Sequence, residues 1–397
     1  MRAASASAAA RALSLLAVLL VALAAPIGAE EPVGEQKARA VRGGVYDKPF
    51  SQHLRGRTAL GGYAEIHYRW ERDDGILEEA SFVVPRFNLF TATEVSDWVT
   101  IAAELEFEDG GEEIKLEYAA VDLLLIQGLA VRAGMVLSPI GRFNLSHDSP
   151  LNEFTDRPLV STQIIPTTLS EPGLGLLGLI SLGENLSARY ELYAVNGFDD
   201  GILTASPGGT RIPEGRGNFE DNNNEPAFAG RTSLRFGQSA EVGISLHSGA
   251  YNVWKQDGLE TEERRTLDIL ALDWDASWRA FAVSGEAARA AIDIPPGLAS
   301  LFAGRQAGVY IQVVRRLGRG RIRSIPESDF GVGARWDAVD FDRDLDGDSE
   351  SRATGLLNYR PTPDTALKLD FFRGWSRDRF NVQAKSAGVL ASVATYF

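Results

Sequence analysis

Residues 98–108 read WVTIAAELEFE, and the alternation in this stretch decides the fold. One face carries apolar side chains at every odd position from Val99 to Phe107. The opposite face carries Thr100, Glu104, Glu106 and Glu108. Period-two alternation is typical of a β-strand that has one apolar and one polar side. We therefore predict a strand here, with its acidic side facing water.

The same pattern recurs along the chain after residue 58. It predicts about 16 strands of roughly ten residues each, the strand length that a membrane-spanning barrel needs. The predicted strands are 58–70, 80–92, 98–108, 113–125, 129–137, 172–181, 186–195, 228–236, 240–252, 266–277, 279–290, 306–317, 329–338, 352–361, 364–375 and 386–397. We predict an all-β fold: a transmembrane antiparallel β-barrel over residues 58–397.

The connections between these strands differ in length. Short ones look like tight turns, for example Gln127-Gly128 and Gly237-Gln238. Long ones are polar and rich in Gly, Pro, Asp and Asn: 139–171, 197–226, 253–265, 291–305, 318–328 and 339–351. Short turns at one end and long external loops at the other are the layout of an outer-membrane barrel.

Both ends of the chain agree with export to an outer membrane. Arg2 and Arg11 precede an apolar stretch that ends in small residues near Ala29, so residues 1–29 are predicted to be a secretory signal peptide. Residues 30–57 would then be an N-terminal periplasmic segment. The chain ends VLASVATYF, whose alternation and final Phe397 resemble the closing strand that the barrel-assembly machinery reads in bacterial outer-membrane proteins.

Composition excludes several classes of function. The chain of 397 residues has no Cys, which excludes disulfide scaffolds, thiolate metal sites and Cys nucleophiles. Its formal net charge of -14 argues against nucleic acid as a partner, because phosphate binding needs a basic face. No cofactor motif is present, and no enzyme activity is predicted.

Several short motifs carry a family resemblance. Residues 131–135 (VRAGM) lead into 138–143 (SPIGRF), and weaker matches are YAVNG at 193–197, FAGR at 228–231 and ARWD at 334–337. Together they resemble the phosphate-selective porin O and P family of bacterial outer membranes. The resemblance implies a 16-stranded barrel, a homotrimer, and a third external loop folded into the pore as a constriction. Residues 139–171 are the candidate for that loop.

Charges in the candidate loop depart from that family. Phosphate selectivity in the family rests on clustered basic residues, whereas the six Lys of this chain are scattered. Segment 139–171 has two Arg against four acids. Because an acidic constriction attracts cations, we expect weak selectivity that leans toward cations. Its candidate residues are Arg142, His147, Asp148, Glu153, Asp156 and Arg157.

Polar strand faces should point into the pore, because a charge facing lipid at the midplane costs roughly 2–4 kcal/mol. Both signs are present, which favours a transverse field across a wet constriction, although many of these charges would equally brace the wall by pairing. The candidate pore-lining residues are Arg69, Arg86, Glu104, Glu106, Arg132, Arg189, Glu191, Arg231, Arg235, Glu286, Arg335, Lys368 and Asp370.

The sequence thus predicts an outer-membrane porin for passive diffusion of small hydrophilic solutes or ions. Two alternatives stay open: a closed barrel serving as an adhesin or structural anchor, and a barrel-embedded lipid hydrolase using His147 near Ser146 and Ser149. The acidic run at 342–348 imitates the start of a calcium loop, but its twelfth position is Ala353, where bidentate Glu is needed. A solvated charge run is therefore favoured over weak calcium binding, and no metal site is predicted.

Overall fold

The computed structural model describes residues 52–53, 58–204 and 208–397. The predicted signal peptide at 1–29 lies outside the described residues. Of the predicted periplasmic segment 30–57, only the two-residue strand Gln52–His53 is described, and it pairs with the start of the first long strand.

Sixteen antiparallel strands form one closed barrel in the described part of the chain. They are β1 (Thr58–Asp73), β2 (Ile76–Val83, resuming as Arg86–Ser96), β3 (Val99–Glu108), β4 (Glu113–Ile126), β5 (Leu129–Leu137), β6 (Ser170–Ser181), β7 (Leu186–Val195), β8 (Ala227–Phe236), β9 (Ala240–Ala250), β10 (Thr266–Trp278), β11 (Phe281–Ile292), β12 (Arg305–Leu317), β13 (Asp329–Asp340), β14 (Ser349–Thr362), β15 (Thr365–Arg377) and β16 (Gln383–Tyr396). Each strand pairs with its neighbour in sequence, and β16 pairs with β1 from Tyr63↔Tyr396 to Asp73↔Ser386. The predicted fold class is confirmed.

The second strand is the one interrupted member of the barrel. Both of its pieces pair with β1, on either side of Val84 and Pro85. Proline has no N–H to donate to a ladder, which accounts for the break. The strand begins at Ile76, four residues before the predicted start.

Strand faces follow the predicted alternation. On β1 the outward-facing Ile66 and Tyr68 are exposed, whereas the inward-facing Glu65 and His67 are buried. Large apolar side chains cover the outside of most other strands, for example Leu105, Ile244 and Ile311. The barrel is therefore apolar outside and polar inside, the reverse of a water-soluble domain.

Loop lengths are asymmetric, although the two-residue turn 74–75 lies at the same end as the long loops and the long connection 318–328 lies at the other. The long connections 138–169, 196–226, 251–265, 293–304 and 341–348 all lie at one end, which we call the loop end. The other, turn end holds the two-residue turns 97–98, 127–128, 279–280 and 363–364. The prediction that 318–328 is a long loop at the external end was wrong: it joins β12 to β13 at the turn end. Its Gly- and Arg-rich composition looked like that of the external loops, and only strand parity assigns its side.

Short helices occur only in connections within the described ranges. They are α1 (Gly141–Leu145), α2 (Val160–Gln163) and α3 (Gly201–Thr204), with 3-10 turns at Asp109–Gly111, Ile212–Gly215 and Pro296–Leu298. No helix among the described residues is long and apolar enough to cross a membrane.

The C-terminal residue completes the closure of the barrel. Phe397 donates its N–H to Gly62 O at 3.0 Å and accepts from Gly62 N at 3.2 Å. Its ring stacks on Phe87 of β2, with 5.6 Å between ring centroids. A side chain at position 62 would meet both Phe397 and Asn88 O at 2.5 Å or less, so glycine is required there.

Candidate functional site

Segment 138–169, called the inner loop here, lies inside the barrel. It makes hydrogen bonds to side chains of strands spread around the whole wall, from Glu286 on β11 through Asp337 on β13 to Lys368 on β15. This confirms that the third external loop folds inward. The predicted bounds 139–171 are two residues too long at the C-terminal end, since Glu171 belongs to β6 and contacts His247 from the wall.

One side of the inner loop is attached by apolar packing. Val160, Ile164 and Ile165 are fully buried in an apolar cluster that also includes Leu267 and Ile269 of β10. The cluster also takes in the 196–226 connection, through Phe198, Ile202 and Ile212. Apolar burial contributes about 1.5–3 kcal/mol per large side chain, so this side of the loop is a fixed base.

Glu286 of β11 anchors the two helices of the inner loop. Its carboxylate accepts from Ser161 Oγ at 2.7 Å and from the backbone N–H of Phe143. Gly141 adopts a φ of 68°, and a Cβ there would stand 3.0 Å from the Glu286 carboxylate. Glycine at this position therefore provides both the left-handed backbone and the room for the anchor.

On the opposite side, Asp156 fastens the loop to three wall arginines. Its carboxylate accepts from Arg69 at 2.8 Å and from Arg352 at 2.9 Å, while its backbone oxygen accepts from Arg335 at 2.9 Å. Burial opposes ionisation of this carboxyl, but the attraction of Arg69 and Arg352 outweighs it and lowers the pKa of Asp156 to about 2. We call this contact the Asp156 latch.

A third attachment joins His147 to β4. His147 Nδ1 lies 2.9 Å from the carbonyl oxygen of Asn144, so Nδ1 must donate. Its Nε2 lies 3.0 Å from Glu117 Oε1. Nε2 also lies 3.3 Å from Oγ1 of Thr168, whose hydroxyl can donate to it. Because the imidazole is engaged in fastening the loop, this geometry does not favour the hydrolase alternative.

The structure places all predicted pore-lining residues on the inner face, where most of them form ion pairs. Arg86 contacts Glu65 at 2.6 Å and Glu106 at 3.4 Å. Arg132 binds Asp122 through two nitrogens at 2.7 and 2.8 Å. Further contacts join Arg231 to Asp273, Arg335 to Asp337, Asn88 to Glu104, Tyr193 to Glu191, Lys368 to Ser149 O and Phe154 O, and Asp370 to the N–H of Thr155.

Two predicted residues stand apart from this network. Arg189 on β7 and Arg235 on β8 lie near the turn end, and neither has an ion pair among the described residues. Most of the predicted lining charges therefore brace the wall or hold the inner loop. Their role in guiding solute stays a prediction.

The pattern missed four residues that hold the loop. Arg360 donates to Pro150 O at 2.6 Å, and Arg316 pairs with Glu153. Arg352 forms part of the Asp156 latch and Glu117 faces His147. Glu117 was hidden by a β-bulge, because the register slips between Glu104 and Leu105 and both residues 117 and 118 point inward.

Two cavities flank the inner loop. One, of about 580 Å³, lies toward the loop end and is lined in part by Arg157, Glu106 and Phe219. The other, of about 290 Å³, lies toward the turn end and is lined in part by Asp156 and Arg142. Arg142 lies 3.6 Å from Asp275 across this second cavity. The consecutive residues Asp156 and Arg157 thus stand between the two spaces, Asp156 facing the second and Arg157 the first.

The acidic run at 342–348 pairs with arginines. Asp344 contacts Arg305, and Asp348 accepts from Arg211 at 2.9 Å. Within the described ranges, no group of three or more His, Asp or Glu side chains is placed to hold a metal ion.

Comparison with known proteins identifies the class of fold. No family model matches the chain. An uncharacterized protein of Aquifex aeolicus (strain VF5) is 26% identical over 352 residues, covering 81% of this chain and 77% of that protein. Among solved structures, the outer membrane channel DcaP of Acinetobacter baumannii superposes with a TM-score of 0.56 at 15% identity, covering 86% of this chain and 97% of the other.

Two further structures agree. The anion-selective porin from Comamonas acidovorans gives a TM-score of 0.54 at 11% identity, covering 86% of this chain and 99% of the porin. Salmonella typhi OmpF in complex with daunomycin gives 0.55 at 10% identity, covering 86% and 98%. The chain therefore has the 16-stranded barrel fold of the outer-membrane porins.

Proposed function

We propose that this protein is an outer-membrane porin through which small hydrophilic solutes or ions diffuse passively. The observation that carries the proposal is the inner loop, which crosses the lumen of a closed barrel that is apolar outside and polar inside. A barrel of 16 strands leaves an aqueous channel unless it is plugged, and the inner loop narrows this one without removing the cavities on either side.

We also propose how the protein is exported, inserted and assembled. Residues 1–29 act as a signal peptide, residues 30–57 stay on the periplasmic side, and the barrel-assembly machinery inserts the chain into outer-membrane lipid. The motifs at 131–135 and 138–143 support membership of the phosphate-selective porin O and P family. Homotrimeric assembly follows from the same resemblance, and unheated protein on a denaturing gel should then migrate as a trimer.

The charged residues of the inner loop bear on the ion selectivity of the channel. The inner loop carries Arg142 and Arg157 against Asp148, Glu153 and Asp156. This balance supports weak selectivity for cations and does not support a phosphate filter. A reversal potential measured across a salt gradient tests the sign.

Reconstitution tests the channel itself. Purified protein added to a planar bilayer should give stepwise conductance, in groups of three if trimers insert, and should make liposomes swell in solutions of small sugars. A folded barrel that gives neither response would contradict the proposal and favour the closed-barrel adhesin or anchor.

A further inference from the structure

The barrel wall has a gap in its hydrogen-bond ladder near the loop end of β4. Residues Glu113–Leu116 pair with β3, from Glu108↔Glu113 to Leu105↔Leu116. Pairing with β5 begins only at Ala119↔Met135, three residues further along. Beyond that point a side-chain bond reaches β4 from the first residue of β6, from Ser170 Oγ to Glu117 O at 2.6 Å.

The larger cavity lies beside this gap. Its lining includes Ile114, Leu116 and Met135, which lie on the outer face of the wall in register with Phe107, Leu105 and Ala119. The same cavity is lined by Lys115 and Glu117, which lie on the inner face. Both faces of one strand thus line this cavity, and we call it the wall portal.

The two ends of the wall portal differ in chemistry. Its outer part is apolar, with Ile114 and Leu116 both exposed, and Phe219 of the 196–226 connection adds an exposed ring. Such a combination of an apolar outer part and a charged inner part suits an amphiphile.

In the inner part, the carboxylates have cationic or histidine partners, whereas two of the arginines have no carboxylate partner within the described ranges. Glu108 and Glu113 both contact Lys115, Glu106 contacts Arg86, and Glu117 contacts His147. Arg216 has no carboxylate within 4.0 Å among the described residues. The same holds for Arg157, whose Nη1 donates to Thr167 O at 3.0 Å while Nε and Nη2 have no acceptor.

We propose that the wall portal binds a single-chain anionic amphiphile, with its head group toward Arg157 and Arg216 and its chain along Ile114, Leu116 and Met135. The proposal rests on the proposed function, because the outer face of β4 meets lipid only when the barrel stands in a membrane. The head group is recognised by charge, and the chain by apolar contact.

Binding of decanoate to the barrel in zwitterionic lipid nanodiscs tests the portal. Equilibrium dialysis with radiolabelled decanoate, below its micelle concentration and after subtraction of empty nanodiscs, should give one saturable site per chain. Acetate lacks the chain and decyltrimethylammonium has the opposite charge, so neither should compete. Competition by decyltrimethylammonium as strong as that by decanoate, or absence of saturable binding, would overturn the proposal.

Three variants locate the site. Replacing both cations, by Arg157→Gln with Arg216→Gln, should weaken binding about tenfold or more. Gly217→Trp should abolish it by filling the cavity, since open space surrounds this glycine and the substitution leaves the fold intact. Arg323→Gln, an exposed arginine at the turn end, is the matched control and should bind as the native barrel does.

The conductance of the same preparations separates the two proposals. Stepwise conductance without decanoate binding would contradict the portal and leave the channel standing. Decanoate binding that is lost in Gly217→Trp, in a barrel without conductance, would support the portal and contradict the channel. Equal binding by the native barrel and Gly217→Trp would overturn the portal whatever the conductance.

Discussion

Replacing Asp156 with Asn should loosen the inner loop without changing its shape. The substitution removes the charge that Arg69 and Arg352 attract and leaves an amide of nearly the same size. Lowering the pKa of Asp156 from 3.8 to about 2 corresponds to about 2–3 kcal/mol of preferential stabilisation of the charged form. The ratio of released to latched loop should therefore rise by roughly one to two orders of magnitude.

Single-channel recording measures this change. Because the base of the loop stays packed in its apolar cluster, Asp156→Asn should keep the barrel folded while increasing the current noise and the mean conductance. Loss of one negative charge beside two arginines should also move the reversal potential toward anion selectivity. Asp97→Asn, an exposed aspartate in a turn-end turn, is the control and should behave as the wild type does.

The sign of the pH dependence follows from the same shift. A carboxyl whose pKa is lowered in the folded state contributes stability above its unfolded value, and this contribution is lost as the pH falls through the folded value. The latch should thus hold from neutral pH down to about pH 4 and weaken as the pH approaches 2. Identical noise and selectivity in Asp156→Asn and wild type at neutral pH would refute the latch.

Three other substitutions test separate attachments. Glu286→Ala should leave the helices of the inner loop without their acceptor, loosen the loop by about 2–4 kcal/mol, and speed its cleavage by added protease; unchanged cleavage would argue against this anchor. Arg132→Met leaves the buried Asp122 unpaired, which should cost about 3–5 kcal/mol and lower the temperature at which the barrel unfolds on a gel. His147→Ala should loosen the loop beside β4 and raise the current noise, because it removes the ring that contacts both Asn144 O and Glu117; unchanged noise would argue against this attachment.

Alternation alone predicted most of the barrel. In residues 98–108 each side chain faces either lipid or the water of the lumen. Alternating apolar and polar residues therefore show directly which face of the strand each residue lies on. Strand ends were less well predicted, because a charged residue such as Arg72 continues β1 beyond the apolar stretch. Pro85 was inside a predicted strand, and the break that it causes depends on the missing N–H, not on polarity.

The attachments of the inner loop were harder to predict. Arg352 and Arg360 occupy the ends of the predicted strand 352–361, where charges are equally typical of the membrane interface. Their partners are a carboxylate and backbone carbonyl oxygens about two hundred residues away in the chain. Such pairs depend on how the loop folds inside the barrel, and local patterning contains no information on that.

The predicted position of loop 318–328 at the external end was wrong for a similar reason. Length and composition distinguish external loops only on average, whereas the number of strands that precede a loop decides its end of the barrel. The break at Pro85 was not predicted, but it leaves the number of strands before this loop unchanged. Counting the predicted strands would therefore have placed the loop at the correct end.

Covalent block of the constriction tests the central claim most directly. The chain has no Cys, so Ser146→Cys introduces a single thiol beside the turn-end cavity. If solute passes the inner loop, reaction of this thiol with a bulky charged methanethiosulfonate should lower each conductance step, while the cysteine-free wild type stays unaffected. A fully modified barrel whose conductance steps are unchanged would contradict the account.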